Sequence, residues 1–344
     1  MTAVTDARTE GAAFVRERAG ALDRGETDIR TDLAELGRLG LLGIGLGDKG
    51  IGEIVGVIED VAAESLAVGF SLWAQRMTLE YLYRAPEPLR TAHLDGLVTG
   101  RTVGVTAMAP ALKHLAGLGP LPLAGVAAPG GHLVSGPIAW ASNVFPDALI
   151  VFPFRDEADR GNVACTRADA AGVTVAPGPD LLALGATAST SLRFTDVRVG
   201  AEQRITDDLA VFCGAIRARF LLLQSAFGTG IARTALAEAA TRLDGLGAQF
   251  RADYDNLAAQ RDDVRTRLYA HAADPGAASG AELLTVRLDA ARLAVEATRL
   301  EFALRGGAGY ATASATNRRF REAAFLPIQS PSEGQLRWEL SQYR

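Results

Sequence analysis

The chain has 344 residues, 48% hydrophobic and 22% charged, with 35 basic against 40 acidic side chains and a formal net charge of −5; this excludes disorder and collagen-like repeats and fits a globular protein of two or three domains. A pI near 5.5 with no Lys/Arg run offers no field for a phosphate backbone, so nucleic acid is not an expected partner. The longest apolar stretch, residues 220–232, is broken by Gln224, Ser225 and Thr229, and the N-terminal residues lack a basic segment leading into an apolar one, so no membrane association and a cytoplasmic location are expected.

From residue 7 to about 98 the apolar periodicity is helical: Leu33, Leu36 and Leu39, then Ile54, Val57, Ile58 and Val61, then a run over 66–83 that stops before Pro86. Residues 1–98 are therefore expected to form an all-α domain. Within it, Gly45-Leu46-Gly47-Asp48-Lys49-Gly50 satisfies G-x-G-x-x-G. A dinucleotide-binding turn needs a buried strand before it, whereas residues 31–42 are spaced like a helix, so a glycine-rich link between two helices is expected instead.

Between 99 and 205 the pattern changes to short β-type runs at 103–107, 132–135, 148–154, 172–176 and 191–199, separated by Gly and Pro clusters. These predict a small antiparallel β domain. Residues 206–344 return to helix. Leu284, Leu288, Ala291, Val295, Thr298 and Phe302 are spaced as the seam of a packed bundle, and Tyr254, Leu257, Val264 and Leu268 keep a similar register with Arg261 interrupting. The segment 274–280 separates these two helices as a hairpin requires. Cys165 and Cys213 lie in different expected domains with no CxxC or Cys/His spacing, so they are read as small core residues, and no metal site is expected. A cofactor at the junction of three such units is the expected arrangement, since domain interfaces make clefts.

Four separated segments carry a resemblance. Gly136-Pro137-Ile138-Ala139-Trp140-Ala141-Ser142-Asn143, followed by Pro146-Asp147-Ala148-Leu149-Ile150-Val151, resembles the acyl-CoA dehydrogenase pattern G-x-K-x-W-I-T-N-x-x-x-A-D-x-x-V. Residues 184–199, running from Leu184-Gly185 to Phe194-Thr195-Asp196-Val197, are similar to that family's L-G-x-R-x-S-x-T-x-x-x-F-x-D-V-x-V. Gly306-Gly307-Ala308-Gly309-Tyr310 resembles G-G-x-G-Y, and Arg318, Arg321, Glu322 and Ala323 fall without a gap on the R-x-x-R-D-A that follows it. The resemblance implies an α+β fold with an N-terminal α-helical domain, a middle antiparallel β domain and a C-terminal four-helix bundle. It implies a flavin, FAD or alternatively FMN, with Trp140 packed on the ring and the Ser142 hydroxyl at its edge. Gly306, Gly307 and Gly309 would let backbone amides approach the cofactor pyrophosphate of a neighbouring subunit. A homo- or hetero-oligomer follows, with the apolar seam of residues 284–302 as a surface for it.

The sequence departs from the family where its chemistry is concentrated. The usual catalytic Glu is replaced by Ser330, and a hydroxyl is too weakly basic to remove an α-proton. The alternative position, early in the first bundle helix, is empty too, since no acidic residue occurs between Cys213 and Glu238. Glu333, three residues beyond Ser330, is a further candidate base. The family's T-E-P-x-A-G-S-D is replaced by residues 108–115, where Met108 removes a hydroxyl that would contact the flavin and His114 follows; R-x-Q-F-G is degenerate, leaving an out-of-register Arg251 for the cofactor phosphates. Three readings stand. The first is α,β-dehydrogenation of an acyl-CoA or carrier-bound thioester, with an atypical base or as one subunit of a heteromer with an electron-transfer partner. The second is a reduced-flavin-dependent monooxygenase served by a flavin reductase. The third is a non-catalytic relative.

Overall fold

The structure is a computed structural model that describes residues 2–343. Five helices open the chain: α1 (Thr2–Asp23), α2 (Arg30–Arg38), α3 (Gly52–Glu64), α4 (Leu66–Tyr83) and α5 (Glu87–Val98). Ser65 separates α3 from α4 with extended backbone, and its hydroxyl accepts from the Val68 amide at 3.4 Å, capping α4. Pro88 sits in the first turn of α5, where its missing N–H removes no helical bond. Helix α4 is buried over almost its whole length and forms one wall of the site described below.

The glycine-rich segment 43–50 links α2 to α3, with Gly45 and Gly47 in left-handed backbone (φ +62° and +89°) and no strand before it. Carbonyls of this segment and of Leu42 just before it accept from two arginines: Arg76 donates to Leu42 O and Ile44 O, and Arg219 to Asp48 O and Lys49 O. The loop thus satisfies buried guanidinium groups, which explains a G-x-G-x-x-G pattern outside a nucleotide fold.

The middle segment holds β1 (Gly104–Thr106), α6 (Ala109–Leu115), β2 (Ala124–Ala128), β3 (Gly131–Ala141), β4 (Leu149–Arg155), β5 (Gly161–Arg167), β6 (Val173–Val175), β7 (Thr190–Gly200) and β8 (Arg204–Thr206). They form one sheet in the order β6-β7-β3-β2-β4-β5-β8, with β1 on β4. Most ladders are antiparallel, as expected, but β1 pairs with β4 in parallel from Gly104↔Leu149 to Thr106↔Val151, and β2 meets β4 in parallel at Ala124↔Arg155. The parallel pairs arise because α6 and the β2–β3 hairpin intervene between β1 and β4, a connection long enough for a crossover. The sequence pattern located five of these strands and missed β2, β5 and β8. The first two are built largely from Ala, Gly and other small residues, and the third is only three residues long and pairs irregularly with β5.

The C-terminal segment contains α7 (Leu209–Ala240), α8 (Arg251–Ala273), α9 (Gly280–Arg305), α10 (Gly307–Tyr310), α11 (Ala315–Ala323) and α12 (Glu333–Ser341). Asp208 caps α7 through the Val211 amide (3.0 Å), and Ser279 with Glu282 forms a capping box on α9. Helix α7 is long and apolar enough by length and composition to cross a membrane, but 67% of its most apolar window is buried inside the fold. Its glycines explain the packing. A Cβ on Gly228 would lie 2.7 Å from Ala290 O of α9, and one on Gly230 would overlap Glu59 O of α3, so both helices approach α7 at backbone distance.

The seam on α9 is used internally. Leu284, Leu288, Ala291 and Thr298 are buried, while Val295 and Phe302 are half-buried. Neighbouring α7, α8, α11 and α12 cover this face, so it does not supply the oligomer surface expected from the sequence. Cys165 and Cys213 are free and buried, and burial pushes both thiols up to about 12.

Candidate functional site

Where α4, β1, the end of β3, the 181–184 segment, α7 and the 321–330 segment meet, they enclose a cavity of about 460 Å³. Its inner wall is aromatic. Phe70 and Trp73 stack at 5.6 Å along α4, Phe325 meets Phe70 edge-on at 4.9 Å, and Phe220 of α7 meets Trp73 edge-on at 4.9 Å. At the mouth four large apolar residues stay exposed: Leu181 at 37%, Trp140 at 61%, Leu182 at 67% and Ile328 at 72%. Apolar surface of that size around a polar-floored cavity marks a binding site. A wider hollow of about 870 Å³ around Asp28, Arg30 and Phe145 takes in Gly185, Ala186 and Ala188 of the 184–199 segment but none of the candidate catalytic or cofactor-binding residues.

The polar floor is a chain of hydroxyls. Ser142 Oγ lies 2.6 Å from Ser189 Oγ, which lies 2.7 Å from Thr187 Oγ1, and Thr187 donates to Leu184 O at 2.8 Å. The backbone that presents these groups is strained: Asn143, Leu184 and Ala188 have φ of +66°, +63° and +46°. Left-handed backbone at a non-glycine residue costs roughly 1–2 kcal/mol and clusters at functional sites. Bonds from Asn143 hold it in place, through its amide N–H to Thr187 O (2.7 Å) and its Nδ2 to Ser71 O (3.0 Å) and Gly104 O (3.2 Å). Thr106 lines the cavity and pairs with Tyr81 Oη at 2.9 Å.

The opposite wall is braced by an unusual cation. The Ser330 carbonyl accepts from Gln224 Nε2 (2.9 Å), whose Oε1 accepts from Arg287 Nε (2.9 Å), while Arg287 Nη2 donates to Gln329 Oε1 (2.6 Å). Arg287 is fully buried and pairs with no carboxylate among the described residues, and burial lowers its pKa to about 10. Arg321, also on the wall, is held by Asp23 at 3.0 and 2.6 Å and by Leu182 O at 3.0 Å.

Among the described residues lining the cavity there is no Asp or Glu. Trp140, Ser142 and Ser330 are brought together on it. The other residues singled out are not. Met108 is buried in the core beside Ala109, which does line the cavity. Glu333 pairs with Arg292 at 2.7 Å and does not line the cavity. Arg251, at the exposed start of α8, donates to Leu243 O at 3.5 Å. Gly306, Gly307 and Gly309 lie at the end of α9, with Gly306 left-handed at φ +60°, and line nothing in this cavity. His114 is exposed and contacts Gly119 O. Sequence reasoning missed Ser189 and Thr187, although both lie in the quoted 184–199 segment, and had no signal for Thr106, Gln224 or Arg287.

No family model matches the chain, and no curated protein matches it. Solved structures do. Butyryl-CoA dehydrogenase from Megasphaera elsdenii superposes with a TM-score of 0.87 at 17% identity, covering 99% of this chain and 97% of that one. An FAD complex of PigA reaches 0.85 at 16% identity over 100% and 97%. Dibenzothiophene monooxygenase from Paenibacillus sp. A11-2 reaches 0.81 at 19% identity over 100% and 97%. At these identities the likeness is one of fold, and the helical, β, helical order of the acyl-CoA dehydrogenase fold is present from end to end.

Proposed function

We propose that this chain is a flavin-dependent oxidoreductase that binds FAD against Trp140 and Ser142 and acts on an apolar, planar substrate by a reduced-flavin-dependent monooxygenation. The observation that carries the reading is the absence of any carboxylate among the described residues of the cavity wall. Removing an α-proton from a thioester needs a base within hydrogen-bond reach. Here Ser330 brings only a hydroxyl to the cavity wall, Asp23 is held by Arg321, and Glu333 is held by Arg292. The donor set fits a flavin ring, since an exposed indole, a row of hydroxyls and aromatic walls can hold a large planar group with one polar edge. Structures of this fold with FAD, and with indole in a monooxygenase, support the choice of cofactor and of substrate class.

When bound, reduced flavin supplies two electrons to O2, one oxygen atom going to the substrate and the other to water. The chain's own residues stack and orient the ring through Trp140, close the inner wall with Phe70, Trp73 and Phe220, and exclude water there. Acyl-thioester dehydrogenation remains the competing reading, because butyryl-CoA dehydrogenase shares the fold. The test begins with FAD titration followed by Trp quenching, in which Trp140→Ala should weaken binding by about fivefold, the loss of ~1 kcal/mol of aromatic stacking. Reduced FAD supplied by NADH and a flavin reductase in air should then oxygenate an apolar probe such as indole. Anaerobic bleaching of the flavin by a saturated acyl-CoA would replace this proposal with the dehydrogenase, and a protein that binds neither FAD nor FMN would end both.

A further inference from the structure

The direction of the hydroxyl chain is fixed by counting protons. A hydroxyl has one proton and two lone pairs. Thr187 spends its proton on Leu184 O, a carbonyl that can only accept, at 2.8 Å. The bond between Thr187 and Ser189 must therefore be donated by Ser189. With its proton so committed, Ser189 must accept in its bond with Ser142. Ser142 is left with lone pairs alone to show to the cavity. Thr187 is fully buried and Ser142 and Ser189 are half-buried, so the inner end of the chain is shielded from water that could reverse it. The left-handed residues Leu184 and Ala188, on either side of Thr187, hold the turn that sets this direction.

We propose that this one-way chain makes Ser142 a hydrogen-bond acceptor and so gives the cavity a preference for the reduced form of a flavin over the oxidised form. The proposal rests on the flavin reading above. Oxidised isoalloxazine presents an unprotonated ring nitrogen at its central edge; two-electron reduction with proton uptake places an N–H there. With that edge of the ring toward Ser142, an acceptor-only serine would match the reduced form and would oppose a lone pair on the oxidised one, where a freely rotating hydroxyl would serve either. A protein that receives its flavin already reduced is favoured by such a preference.

The test compares the affinities of the full chain for oxidised FAD, by tryptophan quenching, and for reduced FAD, by anaerobic titration. Wild type should bind the reduced form more tightly. Ser189→Ala removes the group that takes the Ser142 proton, and the preference should fall by about 3- to 10-fold, the worth of one neutral hydrogen bond; for a two-electron couple tenfold lowers the bound flavin's midpoint potential by about 30 mV. Thr187→Val frees the Ser189 proton and should act in the same direction with both serines intact, whereas Ser189→Thr keeps the chain and should keep the wild-type ratio. If Ser189→Ala binds FAD and leaves the ratio unchanged, or if wild type prefers the oxidised form, the proposal is overturned while the flavin site stands. Failure of wild type to bind FAD in either state overturns the flavin reading and this inference together.

Discussion

Ser330 presents two different faces to its surroundings. Its carbonyl is held by Gln224, and through Gln224 by the buried Arg287, while the residue itself lines the cavity beside Phe325, Ile328 and Gln329. A hydroxyl in that position can neither take an α-proton nor place a charge beside the ring. Ser330→Glu separates the two enzymatic readings. Partial burial in a cavity lined by Phe220 and Phe325 would raise the new carboxyl's pKa, and in its charged form it would disfavour the apolar substrate. Oxygen-dependent turnover should drop by at least about tenfold, equivalent to ~1.4 kcal/mol, as followed by oxygen uptake. Stopped-flow mixing with a saturated acyl-CoA under anaerobic conditions should show no bleaching. Bleaching in the variant would mean that the thioester site exists and lacks only its base.

Helices α1 and α2 meet through an ion pair that burial works against. Asp32 on α2 is fully buried and accepts from Arg18 Nε of α1 at 3.1 Å, yet its pKa is raised to about 6 because desolvation outweighs the attraction of Arg18. The folded-state pKa lies above the unfolded value of 3.8, so the folded chain binds the extra proton between about pH 4 and 6. The contribution of Asp32 to stability is therefore greatest below pH 4, falls as pH rises to about 6, and is flat beyond, a change of roughly 2–3 kcal/mol. Asp32→Asn keeps an acceptor for Arg18 and removes the titration. Thermal unfolding at pH 4, 5 and 7 should show the variant gaining a few degrees on wild type as pH rises; a difference that stays constant across this range would show that Asp32 titrates normally. The same competition between sequence motif and packing explains the 43–50 loop, whose carbonyls are taken by Arg76 and Arg219.

The assembled molecule leaves one group of candidate cofactor residues away from the cavity of their own chain. The Gly306–Gly309 turn lines no part of the cavity, and beside it Phe302 stacks on Phe320 at 4.6 Å and meets Tyr310, which is exposed. An aromatic cluster next to a glycine turn suits a second subunit. We expect sedimentation equilibrium at micromolar concentration to show a dimer or a larger oligomer. Tyr310→Asp should weaken association by about 30-fold, the ~2 kcal/mol of an interface anchor. A monomeric wild-type chain at that concentration would contradict the expectation.

Periodicity and turn-rich punctuation carried the helical, β, helical order, because these signals are written in neighbouring residues, while Trp140, Ser142 and Ser330 were put forward by the family resemblance and share the lining of one cavity in the structure. The cavity wall was not legible in this way. Phe70, Trp73, Phe220 and Phe325 have the spacing of core residues, and an apolar period reports burial without telling a packed interior from a lined cavity. The hydroxyl chain joins residues 47 positions apart and exists because β3 pairs with β7 at Ala141↔Thr190, which sets Ser142 beside Ser189. Glu333 looked available three residues from Ser330 until α9 brought Arg292 to it, and the α9 seam looked free until α7 covered it. Burial, proton direction and charge pairing belong to contacts between distant segments, and those contacts exist once the helices and the sheet have packed.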